Sequence, residues 1–156
     1  MKRLTIKEID KIHRVLKHPD IWEHIIDDGT CSIDEYDVSP LLKNDGVYFL
    51  MPDDDTLFMA IQINAIMWDI HINALKGSRG SKSIKAAHEA FKYMFTKTPC
   101  QKLVVYIAEI FPNVVNHAVR CGFVQEGNIT NSYLKNGELY SQYLLGISKS
   151  EYGDIN

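Results

Sequence analysis

The chain has 156 residues with a formal net charge of −3, and 46% of them are hydrophobic and 24% charged. That length suits one domain with a proper core and is too short for two ordinary ones. The slightly acidic balance excludes nucleic-acid binding through bulk electrostatics, so any anion site must arise from local clustering.

Residues 3–6, RLTI, read as a short first strand. Thr5-x-x-Glu8 has the form of a capping box, and Ile6, Ile9, Ile12 and Leu16 then recur at helical spacing. Pro19 ends that helix, and Asp20 is expected to cap a second one carrying Trp22, Ile25 and Ile26, which Asp27-Asp28-Gly29 stops. Residues 47–51 and 57–65 read as strands joined by Pro52-Asp53-Asp54-Asp55. Trp68, Ile70 and Ile72 alternate with Asp69, His71 and Asn73, which predicts a strand with one apolar and one polar face. From Ile84 the apolar residues return to helical spacing through Ala87, Phe91 and Phe95, until Thr98-Pro99 closes the helix. Residues 102–108, KLVVYIA, form the continuous apolar run of a strand buried on both faces. Pro112 suits the first turn of a short helix with Val115 and Val119 on its inner face, and Gly122 stands where a left-handed cap is wanted. The tail is expected to fold back on itself about Asn136-Gly137, a strong hairpin signal. This order predicts one mixed α/β domain over residues 1–156.

The cysteines Cys31, Cys100 and Cys121 follow no C-x-x-C spacing, which points to reduced thiols in the cytoplasm. The opening MKRLTIKEIDKIH has no apolar signal core, and no run reaches membrane-spanning length. His13, His18 and His24 are too far apart around Pro19 to form a zinc site, and the Asp53–Asp55 run is explained by a turn.

Between the polar-faced strand and the next helix lies Lys76-Gly77-Ser78-Arg79-Gly80-Ser81-Lys82-Ser83, small and basic. A helix start presents unpaired N–H groups and a partial positive charge, so this loop fits a pyrophosphate cradle. A solvated basic loop that merely needed glycine for its turn fits equally well. The Walker pattern and the dinucleotide G-x-G-x-x-G are both absent. The polar face Asp69, His71, Asn73 must lie in water or in a cleft, and His71 is a proton acceptor suited to neutral pH.

Arg79-Gly80, AAHEAFKYMF, KLVVYIAEIFPNVVNHAVRCGFVQEG and NGELYSQYLLGISKSEY together resemble the GNAT acyl-CoA-dependent N-acyltransferases. The likeness is greatest to the ribosomal-protein N-terminal acetyltransferase branch and its small phage-encoded relatives, with CGFVQEG matching the family's Gly-Phe-x-x-Glu-Gly. It implies a mixed, mostly antiparallel sheet of about six to seven strands flanked by about four helices. It implies transfer of acetyl from acetyl-CoA to a primary amine, whether a protein N-terminus, a lysine or a small amine, without a metal, nucleic acid or membrane. The coenzyme phosphates would lie on Arg79, Gly80, Ser81, Lys82 and Ser83, with the thioester and pantetheine arm on the backbone near Ile72, Asn73 and Ala74. Asn116, or Asn113 in a competing register, would bond the arm. Asp69 falls near the place of the family's base, and His71 and Glu109 are the other candidate bases. His117 is a candidate acid, while Tyr133, Tyr140 and Tyr143 read as packing residues. The resemblance also implies a homodimer through the terminal hairpin, and host cytoplasm if the chain is phage-encoded. Two departures stand out: the loop's later small positions carry Lys82 and Ile84, and the tyrosine expected four residues before Gly122 is Ala118. The alternative is a catalytically silent acyl-CoA-binding module or a phage–host interaction factor.

Overall fold

The structure, a computed structural model, describes residues 1–155, so the last position of the expected domain lies outside the described residues. The Thr5–Glu8 capping box forms, with the Glu8 carboxylate accepting from the Thr5 N–H at 2.8 Å and its hydroxyl at 2.7 Å. It opens a 3₁₀ turn, Ile6–Glu8, that runs straight into α1 (Ile9–Leu16). Residues 3–6 are therefore not a strand. Arg3 makes one isolated bridge to Leu50, and the box then turns the chain into the helix.

Helix α2 (Pro19–Ile25) begins at Pro19, whose missing N–H costs nothing in a first turn. Its cap is consequently His18 rather than Asp20: the His18 Nδ1 accepts from the Asp20 N–H at 3.1 Å. Ile26 is already extended. A short α3 (Ser39–Leu42), unmarked by any apolar period, precedes β1 (Val47–Asp53), β2 (Thr56–Asn64) and β3 (Met67–Ala74). Then come α4 (Ser81–Lys97), β4 (Lys102–Ala108), α5 (Pro112–Arg120), β5 (Val124–Lys135), β6 (Glu138–Ser148) and α6 (Lys149–Ile155). The result is a single α/β domain with one six-stranded sheet in the order β1-β2-β3-β4-β6-β5. Every neighbouring pair is antiparallel except β3 and β4. The helices beyond those expected are α3 and α6.

Alternate residues of β1 and β2 feed two cores on opposite faces of the sheet, while those contributed by β3, β4 and β6 gather in one of them. Trp68, Ile70, Leu103, Leu145 and Ile147 pack with Ala87, Phe91 and Phe95 of α4. Val47, Phe49 and Leu57 pack on the other side with Ile12, Val15 and Leu16 of α1 and Ile21 of α2. Phe91 is fully buried, with Phe123 and Tyr152 at ring distances of 5.4 and 6.3 Å. Burying such a side chain stabilises the fold by about 1.5–3 kcal/mol.

Helix α5 rotates differently from the expectation. Val119 is 53% exposed, and the inner face is Val115, Ala118 and Cys121, packed near Phe123. Its end is a Schellman motif: Phe123 N–H donates to Ala118 O at 3.1 Å and Gly122 N–H to Val119 O at 2.9 Å. Gly122 supplies the left-handed φ of 97° that this motif requires. The terminal hairpin turns through Asn136 and Gly137, both at positive φ, the geometry of a type I′ turn.

Candidate active site

Strands β3 and β4 pair only at Met67–Lys102, Trp68–Leu103 and Asp69–Val104. Past that point β3 keeps β2 as its partner and β4 keeps β6, so the facing edges of the two central strands part. Backbone N–H and C=O groups along a parted edge need partners, and a bound chain-like molecule can supply them as a further strand would. This also explains why Val105 and Tyr106 are only half-buried in a strand otherwise read as buried on both faces.

At the end of β3 the chain passes through Leu75 and a 3₁₀ turn, Lys76–Ser78, to Gly80, which caps α4. Gly80 sits at φ 76° and ψ −132°, a conformation nearly closed to other residues, and it has no side chain to bond the helix start. The Ser83 hydroxyl donates to Gly80 O at 2.9 Å. The first turn of this seventeen-residue helix is therefore Ser81, Lys82 and Ser83, with the dipole's positive end left uncapped by any side chain. Arg79 donates from Nε to Ala74 O at 3.1 Å and from Nη2 to Asp20 O at 3.0 Å, which joins β3 to α2. Lys82 reaches back to Gly77 O at 3.3 Å. Residues 72–74 and 79–83 thus come together at the open end of β3.

The polar face of β3 lies on the α1/α2 side, opposite Met59 and Ile61 of β2. Its residues differ in depth. Asn73 is 6% exposed, whereas the side chains of Asp69 and His71 are 18% and 40% exposed. The His71 Nε2 lies 3.1 Å from Asp69 Oδ2, and Asp69 Oδ1 is buried with no hydrogen-bond partner among the described residues.

The other expected residues separate from this cluster. Glu109 accepts from the Ser141 N–H at 2.8 Å while its own N–H donates to Ser141 O at 3.0 Å, so it extends the β4–β6 ladder. Asn116 and Asn113 are exposed on α5. His117 faces inward with Nε2 3.7 Å from Cys121 Sγ, and burial, helped by the nearby Arg120 charge, pulls its pKa below the ordinary imidazole value. Burial pushes the Cys121 thiol up to about 11. Ala118, in the place of the expected tyrosine, is buried in the main core.

The sequence carried no signal for the wall beside this cluster. Helix α2 is held at its start by Arg79 and at its end by the hairpin tip. Lys135 Nζ donates to Glu23 O and Ile26 O at 2.6 and 2.9 Å, and the Tyr133 hydroxyl donates to Ile26 O at 2.9 Å. Asp28 accepts from the Asn136 and Gly137 N–H groups, both at 2.7 Å. Midway, the His24 ring meets Phe111 at 5.8 Å, and Phe111 meets Tyr133 at 6.2 Å. So α2 runs from the end of β3 past the start of α5 to the hairpin. Among the described residues no group of three or more His, Cys, Asp or Glu could hold a metal ion, and no helix is long and apolar enough to cross a membrane.

The sequence matches no protein-family model and no curated protein. Solved structures do match. The spermidine N-acetyltransferase from Vibrio cholerae in complex with CoA and spermine superposes with a TM-score of 0.78 at 20% identity, covering 99% of this chain and 96% of that one. A chimera of that enzyme with hSSAT gives a TM-score of 0.79 at 20% identity, over 98% and 96%. Mutant forms of the same Vibrio cholerae spermidine/spermine N-acetyltransferase give 0.78 at 18% identity, over 99% and 95%. Likeness at this identity speaks to architecture: the chain has the GNAT-like fold of these enzymes.

Proposed function

We propose that the protein transfers an acetyl group from acetyl-CoA to a primary amine, with a small amine as the preferred acceptor. The observation that carries this reading is the parting of β3 and β4 after Asp69 and Val104, immediately before the glycine-led start of α4. The pantetheine arm would lie in the gap and bond the free strand edge near Ile72, Asn73 and Ala74. The pyrophosphate would meet the first turn of α4, Ser81, Lys82 and Ser83, beside Gly80. Arg79 has five N–H donors and keeps some for phosphate beyond those given to Ala74 and Asp20. Asn116 on α5 would bond the arm from the far side.

An alkylamine such as lysine is neutral only about one part in a thousand at pH 7, so the reaction needs a base. The polar face of β3 supplies one. Strand N–H groups at the gap would stabilise charge on the thioester oxygen. The small-amine preference rests on the spermidine N-acetyltransferase neighbours and on α2, which walls one side of the gap. Free thiols support a cytoplasmic setting. The exposed Leu134 and Leu139 support a homodimer through the hairpin, which sedimentation at tens of micromolar checks.

A second reading, a coenzyme-binding module without turnover, is favoured by the buried Ala118. One experiment separates the two. Labelled acetyl-CoA is incubated with spermidine, 1,4-diaminobutane, a lysine peptide and a ribosomal-protein N-terminal peptide, and products are read by mass spectrometry. The peptides test the branch that the sequence motifs resemble. Acetylation of the small amines is expected. A raised Tm with acetyl-CoA but no product would leave the binding module, and neither would end the coenzyme reading.

A further inference from the structure

We infer that Asp69 and His71 act as a carboxylate–imidazole pair, in which His71 is the base that takes the acceptor's proton and Asp69 positions it. This rests on the acyltransfer reading above. The two side chains leave β3 on the same face because they are two residues apart. They also straddle the point where the sheet opens: Asp69 is the last β3 residue paired with β4, and His71 lies beyond it.

A neutral imidazole has one N–H and one bare nitrogen. With an ionised carboxylate oxygen 3.1 Å from Nε2, the proton belongs on Nε2 and the lone pair on Nδ1 is left free to accept. Depth then separates the roles. Asp69 is the more buried of the two and His71 the more exposed, so an incoming amine meets the ring before the carboxylate. The buried, unpartnered Oδ1 strengthens the case. A carboxylate with one oxygen unserved is poorly compensated, and His71 is its ion-pair partner among the described residues. Positive charge arriving on the ring relieves that deficit. Glu109 and His117 do not compete, since one is tied to Ser141 and the other packs against Cys121.

The step balances as follows. His71 Nδ1 takes a proton from the acceptor ammonium, and the freed nitrogen attacks the thioester carbonyl carbon. The C–N bond forms and the C–S bond breaks. The second proton on nitrogen passes to the departing thiolate, giving the coenzyme thiol, and His71 releases its proton to water.

The test compares kcat/KM for the best acceptor of the amine panel in wild type, His71→Gln, Asp69→Asn and the double variant. Melting curves with and without acetyl-CoA confirm folding and coenzyme binding. His71→Gln should lose roughly 10²–10⁴-fold. Asp69→Asn alone should lose less, and adding it to His71→Gln should cost nothing further. Nitrogen NMR of the ring should show the proton on Nε2. An undiminished His71→Gln overturns the pair, as does a proton on Nδ1. An Asp69→Asn loss that persists in full beside His71→Gln overturns it by making Asp69 the base. Wild type without turnover overturns the pair together with the acyltransfer reading, whereas turnover that His71→Gln leaves undiminished overturns the pair alone.

Discussion

Gly80→Ala isolates the backbone at the start of α4. The added Cβ would meet nothing within 4 Å, so no clash contributes to the cost. What remains is the conformation, φ 76° and ψ −132°, which a residue with a Cβ holds at a cost of about 1–3 kcal/mol. For a chain of 156 residues the unfolding entropy is roughly 0.33 kcal/mol/K, so Tm should fall by about 3–9 °C. If the loop relaxes instead, the first-turn N–H groups turn away from the position proposed for the phosphates, and the Tm rise expected on adding acetyl-CoA should shrink. Gly77→Ala is the control: its φ is not positive, its Cβ also meets open space, and it should be neutral or stabilise by up to about 1 kcal/mol. Calorimetry with and without acetyl-CoA reads both variants. If the two melt alike and bind the coenzyme alike, the glycine-led cradle is refuted.

Glu109→Gln should keep its bond to the Ser141 N–H, because the amide oxygen still accepts, and should leave stability within about 0.5 kcal/mol and kcat/KM unchanged. A loss above tenfold would return Glu109 to the list of bases. Asp28→Ala removes two exposed, charge-assisted bonds to the hairpin turn and should cost about 1–2 kcal/mol, with faster proteolysis at residues 26–30. Unchanged proteolysis would mean that α2 is not held there. Of the three thiols only Cys31 is exposed, so a thiol reagent at pH 8 should find one fast group in the native protein and all three after denaturation. Cys100 and Cys121 are each pushed up to about 11 by burial, above their unfolded values, so the unfolded chain loses those protons first. Stability should therefore fall as pH rises from about 9 towards 11, and Cys121→Ser should flatten part of that slope in pH-dependent denaturant melts.

Features whose partners lie a few residues apart were legible in the sequence. Thr5 and Glu8 close their own box, Gly122 ends its own helix, and Asn136-Gly137 folds its own hairpin. The alternation from Trp68 to Asn73 likewise announced a two-faced strand, because side chains on a strand alternate whatever surrounds them. The same local reasoning failed where the outcome depends on what packs alongside. Residues 3–6 have strand chemistry, but the capping box takes the chain into a helix, and Val119 has core chemistry on a helix whose buried face is set by Ala118 and Cys121. Which polar groups of the candidate site meet was decided by tertiary structure alone. The place where β4 leaves β3, the turning of Glu109 to Ser141, and the anchoring of α2 by Arg79 at one end and the Asn136-Gly137 turn at the other join residues far apart in the chain. Such contacts leave no periodicity or local motif, because they form only after the sheet and both cores have brought the segments together and offset the entropy of closing the intervening loops.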